Sequence, residues 1–217
     1  MTKIKICGLT DTVSLEAAIE AGADYAGLVF YPPSPRSIVA EQAASLARCA
    51  AGRIKLVGLF VTPELAAIEA VLKSVSLDIL QIYGSPDQAA RVKQRFNLPV
   101  WRQFGAASAA DFPADDEGVD GFVVEAKPPA GATRPGGNGV LADWALLADF
   151  QPRHSWLLAG GLTPDNVGAA LARAGAPGVD VSSGVEIRPG QKSPALIRQF
   201  VAEVRRAQEA GPAYFST

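Results

Sequence analysis

The sequence predicts a closed barrel of eight parallel strands alternating with helices, a (β/α)8 (TIM) barrel of the α/β class, on three observations. Eight short apolar, β-branched runs recur with starts 21 to 34 residues apart, close to the ~30 residues or more of a strand–helix–strand unit. The runs are nearly continuous in apolar character, as in Leu56-Val57-Gly58-Leu59-Phe60, which suits parallel strands buried on both faces. Helix-like segments follow them, and eight alternations leave no sheet edge over, which favours closure. A doubly wound open sheet is the alternative that the same alternation allows.

The strand runs, in order, are Lys3–Cys7, Tyr25–Phe30, Lys55–Phe60, Ile79–Tyr83, Val100–Phe104, Gly121–Glu125, Ser155–Ala159 and Gly178–Ser182. The first helix is expected over Asp11 to Ala21, with Gly22 where a left-handed C-cap belongs. Pro63, Pro86 and Pro164 each fall at a plausible first helical position, behind Thr62, Ser85 and Thr163 as N-caps. One unit is defective. Gly105–Asp120 carries Pro113 and the acidic run Asp115-Asp116-Glu117, so a loop or single turn is expected and the fifth helix is short or missing. The other irregularity is the Pro/Gly-rich Lys127–Gly139, of the length that usually marks a binding loop. No linker or internal repeat interrupts residues 1–217, which read as a single domain.

Composition narrows the function. The 217 residues carry Lys+Arg 20 against Asp+Glu 22, with 48% hydrophobic and 19% charged residues. This excludes a disordered chain. A near-neutral balance lacks the basic footprint of a nucleic-acid binder. No stretch approaches the roughly 18 apolar residues of a membrane span. The N-terminus passes from Lys3 and Lys5 to Asp11 and Glu16 without an apolar signal core. Two cysteines, Cys7 and Cys49, and one histidine, His154, are too few for a disulfide framework or a His/Cys metal site. A cytoplasmic protein without structural metal is expected.

In such a barrel the active site lies at the C-terminal strand ends. The polar residues there are Cys7, Arg36, Gln81, Tyr83, Arg102, Glu125, Lys127 and Asp180. Cys7 ends the first run before a turn into a helix, whose N-terminus would favour a thiolate base or nucleophile; the alternative is a small buried hydrophobe. Glu125 ends the sixth run among apolar neighbours, which suits a general acid, unless it turns outward to Lys127 or Arg134. Arg36 follows the stiff Tyr31-Pro32-Pro33-Ser34-Pro35 and reads as a carboxylate clamp or a solvated surface arginine. Glycines and serines after the seventh and eighth runs, Gly160, Gly161, Ser182, Ser183 and Gly184, suit an anion held by backbone N–H groups. In phosphate-binding barrels these two loops form that site. His154 and Cys49 read as structural, and Trp101, Trp144 and Trp156 as core or rim.

In combination, Lys5-Ile6-Cys7-Gly8-Leu9-Thr10, Gly27-Leu28-Val29-Phe30, Ser34-Pro35-Arg36, Val57-Gly58-Leu59-Phe60, Leu80-Gln81, Pro135-Gly136-Gly137-Asn138-Gly139, Asp143-Trp144, Leu158-Ala159-Gly160-Gly161-Leu162 and Asp180-Val181-Ser182-Ser183-Gly184-Val185-Glu186 resemble the phosphoribosylanthranilate isomerase family of tryptophan biosynthesis. The likeness runs in order to near Arg206. It implies an Amadori rearrangement of N-(5-phosphoribosyl)anthranilate to the 1-deoxyribulose phosphate product, without a cofactor. By the same resemblance Cys7 is the base at sugar C2, the carboxyl after the sixth strand is the acid at the ring oxygen, and Arg36 holds the anthranilate. Lys5, Gln81, Tyr83 and Asp180 are the other expected substrate contacts. The expected partner is a small phosphorylated substrate, with no nucleic acid or membrane, and the chain acts as a monomer or homodimer.

Two positions depart from the family pattern. Its acid is usually aspartate, whereas Val123-Val124-Glu125-Ala126-Lys127 supplies glutamate. It usually has histidine after the fourth strand, whereas Gln81-Ile82-Tyr83-Gly84 supplies tyrosine. A displacement of about 1 Å in a reacting group can cost about a hundredfold in rate, so these substitutions leave room for an isomerase of another phosphosugar or a lapsed phosphate-binding barrel.

Overall fold

Eight strands close into a barrel in which every neighbouring pair runs parallel, including β1 against β8. They are β1 (Lys3–Cys7), β2 (Tyr25–Phe30), β3 (Lys55–Val61), β4 (Ile79–Tyr83), β5 (Val100–Ala106), β6 (Gly121–Ala126), β7 (Trp156–Leu158) and β8 (Gly178–Val181). This computed structural model describes residues 1–126 and 144–210. The expected strands are all present, β3, β5 and β6 running one or two residues further and β7 and β8 stopping short of Ala159 and Ser182. The expected glycine loop, with Lys127, Arg134 and Asp143, lies outside the described residues.

Side chains alternate across each strand, and the alternation separates two cores. Ile4 and Ile6 of β1, Leu28 of β2 and Phe60 of β3 point outward into the main hydrophobic cluster beneath the helices. Cys7, Val29 and Leu59 form a separate cluster within the barrel, and Val123, Leu157 and Ala159 another. The inward positions at the strand ends are therefore where polar residues meet.

The helices are α1 (Thr12–Ala21), α2 (Ala40–Ala50), α3 (Leu65–Leu72), α4 (Pro86–Arg95), α5 (Trp144–Leu147), α6 (Val167–Ala174) and α7 (Pro194–Ala210). Asp11 caps α1 by accepting from the Ser14 backbone N–H at 2.8 Å, and Gly22 closes it at φ 84. Ser85 and Gln88 form a reciprocal capping box at α4, with Pro86 in its first turn. The other two proline-based starts need correction. Thr62 adopts φ 40 and donates its N–H to the Tyr83 carbonyl at 2.7 Å, so α3 begins later, after Glu64. Thr163 donates its N–H to Asn166 Oδ1 at 2.8 Å, and this turn delays α6 to Val167.

After β5 the chain makes only a single 3-10 turn, Ala109–Asp111. Aromatic side chains fill the space a helix would cover: Phe150 packs against Phe104, Phe112, Phe122 and Trp156. Arg102 points outward here, with its guanidinium 5.0 Å from the Phe104 ring and ion-paired to Glu117. It therefore belongs to this patch, away from the mouth of the barrel where the sequence placed it. After β8 come a second 3-10 turn (Ser183–Val185) and a hairpin of β9 (Glu186–Arg188) and β10 (Gln191–Lys192).

Candidate active site

One cavity at the C-terminal strand ends is lined by Cys7 of β1, Tyr83 of β4, Gln103 of β5, Glu125 of β6 and Asp180 of β8, together with Arg36. Gly160, Gly161, Ser182 and Ser183 close one side of it. Of the expected site residues, Lys5 and Gln81 do not line it. Both are fully buried one layer below, two residues before Cys7 and Tyr83 on their strands. Gly184 does not line it either, being packed against the Leu162 carbonyl.

Lys5 shows why the floor is ionic. Its ammonium donates to Asp180 Oδ1 at 2.9 Å, and a buried charge is tolerated only when paired in this way. Burial alone would lower its pKa, but the charges of Asp180 and Cys7 outweigh that and leave it raised. Gly27 makes the packing possible: a Cβ there would meet Cys7 Sγ at 2.9 Å and Lys5 Nζ at 3.2 Å.

The Cys7 thiol sits above this pair. The expected help from a helix N-terminus does not apply, because α1 starts five residues later and that field fades within a turn. Burial pushes the thiol up, Lys5 pulls it down, and the balance stays above the ordinary value. Across the barrel, Tyr83 donates its hydroxyl to Glu125 Oε1 at 2.9 Å. Burial, reinforced by the Glu125 charge, holds the phenol well above its usual range, so it stays a donor. Beside them the Gln81 amide donates to Gln103 Oε1, while Gln81 Oε1 is buried without a partner.

Arg36 is fixed by something the sequence reading did not assign. Its Nε donates to Glu186 Oε1 at 2.7 Å and Nη2 to Oε2 at 2.9 Å. The prolines alone do not position it. Lys192, buried and absent from the sequence reading, donates to Glu186 Oε1 at 2.7 Å and to the Ser182 carbonyl at 3.0 Å. Ser182 in turn donates its hydroxyl to the Cys7 carbonyl at 3.1 Å. A buried cation thus ties the arginine, the eighth-strand loop and the thiol strand together. Glu186 stood in the motif but carried no role there, and Lys192 follows ordinary loop residues; only their folding into a hairpin brings them under the site.

Cys7 and Glu125 thus line one cavity at the C-terminal mouth of a (β/α)8 barrel, the place where barrels of this class carry their active sites. The model of the family described as N-(5'phosphoribosyl)anthranilate (PRA) isomerase matches residues 4–203. The chain belongs to that family of tryptophan biosynthesis. It is 52% identical over 208 residues to N-(5'-phosphoribosyl)anthranilate isomerase of Granulibacter bethesdensis, covering 95% of this chain and 100% of the relative. The crystal structure of TrpF from Jonesia denitrificans superposes with a TM-score of 0.81 at 35% identity, covering 98% of this chain and 100% of that one. A phosphoribosyl anthranilate isomerase solved in complex with reduced 1-(o-carboxyphenylamino)-1-deoxyribulose 5-phosphate superposes with a TM-score of 0.77 at 27% identity, covering 95% and 100%. Among the described residues no helix is long and apolar enough to cross a membrane.

Proposed function

We propose that this chain opens and rearranges N-(5-phosphoribosyl)anthranilate with Glu125 as general acid and Cys7 as general base, giving 1-(2-carboxyphenylamino)-1-deoxyribulose 5-phosphate. The observation that carries the reading is that Cys7 and Glu125 line one cavity from β1 and β6. Glu125 gives its proton to the furanose ring oxygen as the C1–O bond breaks, and the anilino nitrogen lone pair forms a C=N bond to C1. Cys7, as thiolate, takes the proton from C2, and the C–H electrons form a C1=C2 enolamine. Loss of the 2-hydroxyl proton and protonation of C1 then give the ketose, and the two residues recover their starting protonation. No redox partner enters, because oxidation at C2 is balanced by reduction at C1.

The remaining lining residues bind and orient. Arg36 uses two of its five donors on Glu186 and turns the others to the anthranilate carboxylate. The phosphate sits on the loops of Gly160, Gly161, Ser182 and Ser183, with Gly184 shaping the second loop and Lys192 beneath it. Lys5 and Gln81 act from below: Lys5 holds Asp180 and biases the thiol, and Gln81 orients Gln103. The chain works as one domain in the cytoplasm, as a monomer or homodimer. The test is loss of the anthranilate-type fluorescence of phosphoribosylanthranilate on mixing with the protein. Turnover that is lost in both Cys7→Ser and Glu125→Gln supports the reading, and undiminished turnover in Glu125→Gln refutes the acid assignment.

A further inference from the structure

The carboxyl at the end of β6 stands one methylene further from its backbone than the aspartate of the family pattern, and an acid must be held in place to work. The structure supplies a holder from two strands away. Tyr83 is in register with Gln103 of β5, and Gln103 with Val123 of β6. Glu125 is level with Gly105, so β5 presents no side chain at that height and the phenol crosses above it. Its hydroxyl reaches Glu125 Oε1 at 2.9 Å. At the other end the Tyr83 carbonyl accepts the Thr62 N–H at 2.7 Å, and its ring packs on the inner cluster of Cys7, Val29 and Leu59. The residue is anchored at both ends.

We infer that Tyr83 is a positioning residue for Glu125, donating its hydroxyl to one carboxyl oxygen so that the other, carrying the proton, faces the ring oxygen of the substrate. The inference rests on Glu125 being the acid. The hydrogen bond to Oε1 restrains the longer side chain at the mouth of the barrel.

The experiment is a double-mutant cycle on the whole chain, with phosphoribosylanthranilate as substrate. Tyr83→Phe keeps the ring and its packing and deletes only the donor. It is expected to lower kcat by about tenfold to a hundredfold, the worth of a hydrogen bond to the carboxylate charge that develops as the proton leaves, with KM and Tm nearly unchanged. Glu125→Asp withdraws the carboxyl from the hydroxyl, so adding Tyr83→Phe to Glu125→Asp is expected to change kcat less than twofold. An unchanged kcat in Tyr83→Phe overturns the inference. Equal losses from Tyr83→Phe in both backgrounds overturn it too, since Tyr83 would then act without Glu125. Glu125→Gln separates the two levels: parental turnover there sinks the acid assignment itself, whereas an inactive Glu125→Gln beside an unaffected Tyr83→Phe sinks only the positioning role.

Discussion

Arg36 and Glu186 meet in a two-point fork, Nε to Oε1 and Nη2 to Oε2, with both side chains nearly closed off from solvent. Lys192 completes the set by donating to Oε1 as well. Burial would raise the Glu186 carboxyl, but the two cations more than reverse that and hold it below its usual range. Glu186 is therefore an anion at neutral pH that serves two cations at once.

Glu186→Gln should accordingly damage both stability and binding. Removing one partner of a buried ion pair costs about 3–5 kcal/mol, and here two cations lose their counter-charge. Urea unfolding should show a loss in this range. The KM for substrate should rise more than kcat falls, because the released guanidinium binds in ground state and transition state alike. A variant with parental KM and midpoint would refute the role given to the fork.

The pH dependence of stability follows from the same carboxyl. Its folded pKa is depressed relative to the unfolded chain, so its contribution is present above the unfolded value of about 4.3 and is lost as pH falls through the folded value. The parent should lose stability steeply below about pH 4.3, and Glu186→Gln should flatten that fall. Tm measured from pH 7 to pH 3 checks it; parallel curves for the two proteins would contradict it.

Gly184 is where the two glycine-containing loops touch. A Cβ at this position would stand 1.8 Å from the Leu162 carbonyl oxygen, and backbone cannot swing aside as a side-chain tip can. Gly184→Ala should push the seventh and eighth loops apart, at about 1–3 kcal/mol for overpacking. Substrate KM should rise and sulfate should protect the variant less against thermal unfolding than it protects the parent. Equal protection would place the anion elsewhere.

The barrel was legible because it rests on repetition. Eight apolar runs at near-constant spacing leave few other ways to bury two-sided strands, and β1, β2 and β4 have the expected ends. Helix starts were less legible where another bond competed: Thr62 and Thr163 look like caps in sequence, yet Thr62 spends its N–H on the Tyr83 carbonyl at the end of β4 and Thr163 on the nearby Asn166 side chain. The missing fifth helix was visible in Pro113 and the acidic run, but its replacement, Arg102 over Phe104 and paired to Glu117, was not. Arg102 is directly adjacent to the inward Gln103, and the pleat alone decides which enters the barrel. At the site, Cys7, Glu125 and Tyr83 were found from their places at strand ends. The Tyr83–Glu125 bond and Lys192 were not: the bond joins side chains two strands apart, and Pro189-Gly190 marks a turn without saying what its hairpin packs against.

Cys7 gives the sharpest pH prediction. A general base must be deprotonated, so the rate rises with pH through its pKa. Burial raises that pKa further than Lys5, through its charge and hydrogen bond, lowers it. The rising limb of kcat/KM should then lie above the ordinary thiol value of about 8.5, where a helix-activated thiol would give one well below it. Alkylation offers a reading independent of turnover. In a Cys49→Ser background, which leaves a single cysteine, the rate of modification by iodoacetamide should follow the same high limb. Adding the substrate should slow it, because Cys7 lines the cavity. Replacing Lys5 with Met removes the nearest opposing charge and should move the alkylation limb higher still, at the cost of leaving Asp180 without its buried partner. A limb at or below pH 7 in the parent would mean that some field other than Lys5 governs the thiol. A limb unmoved by Lys5→Met, in protein shown to be folded by its Tm, would remove Lys5 from the account of the base.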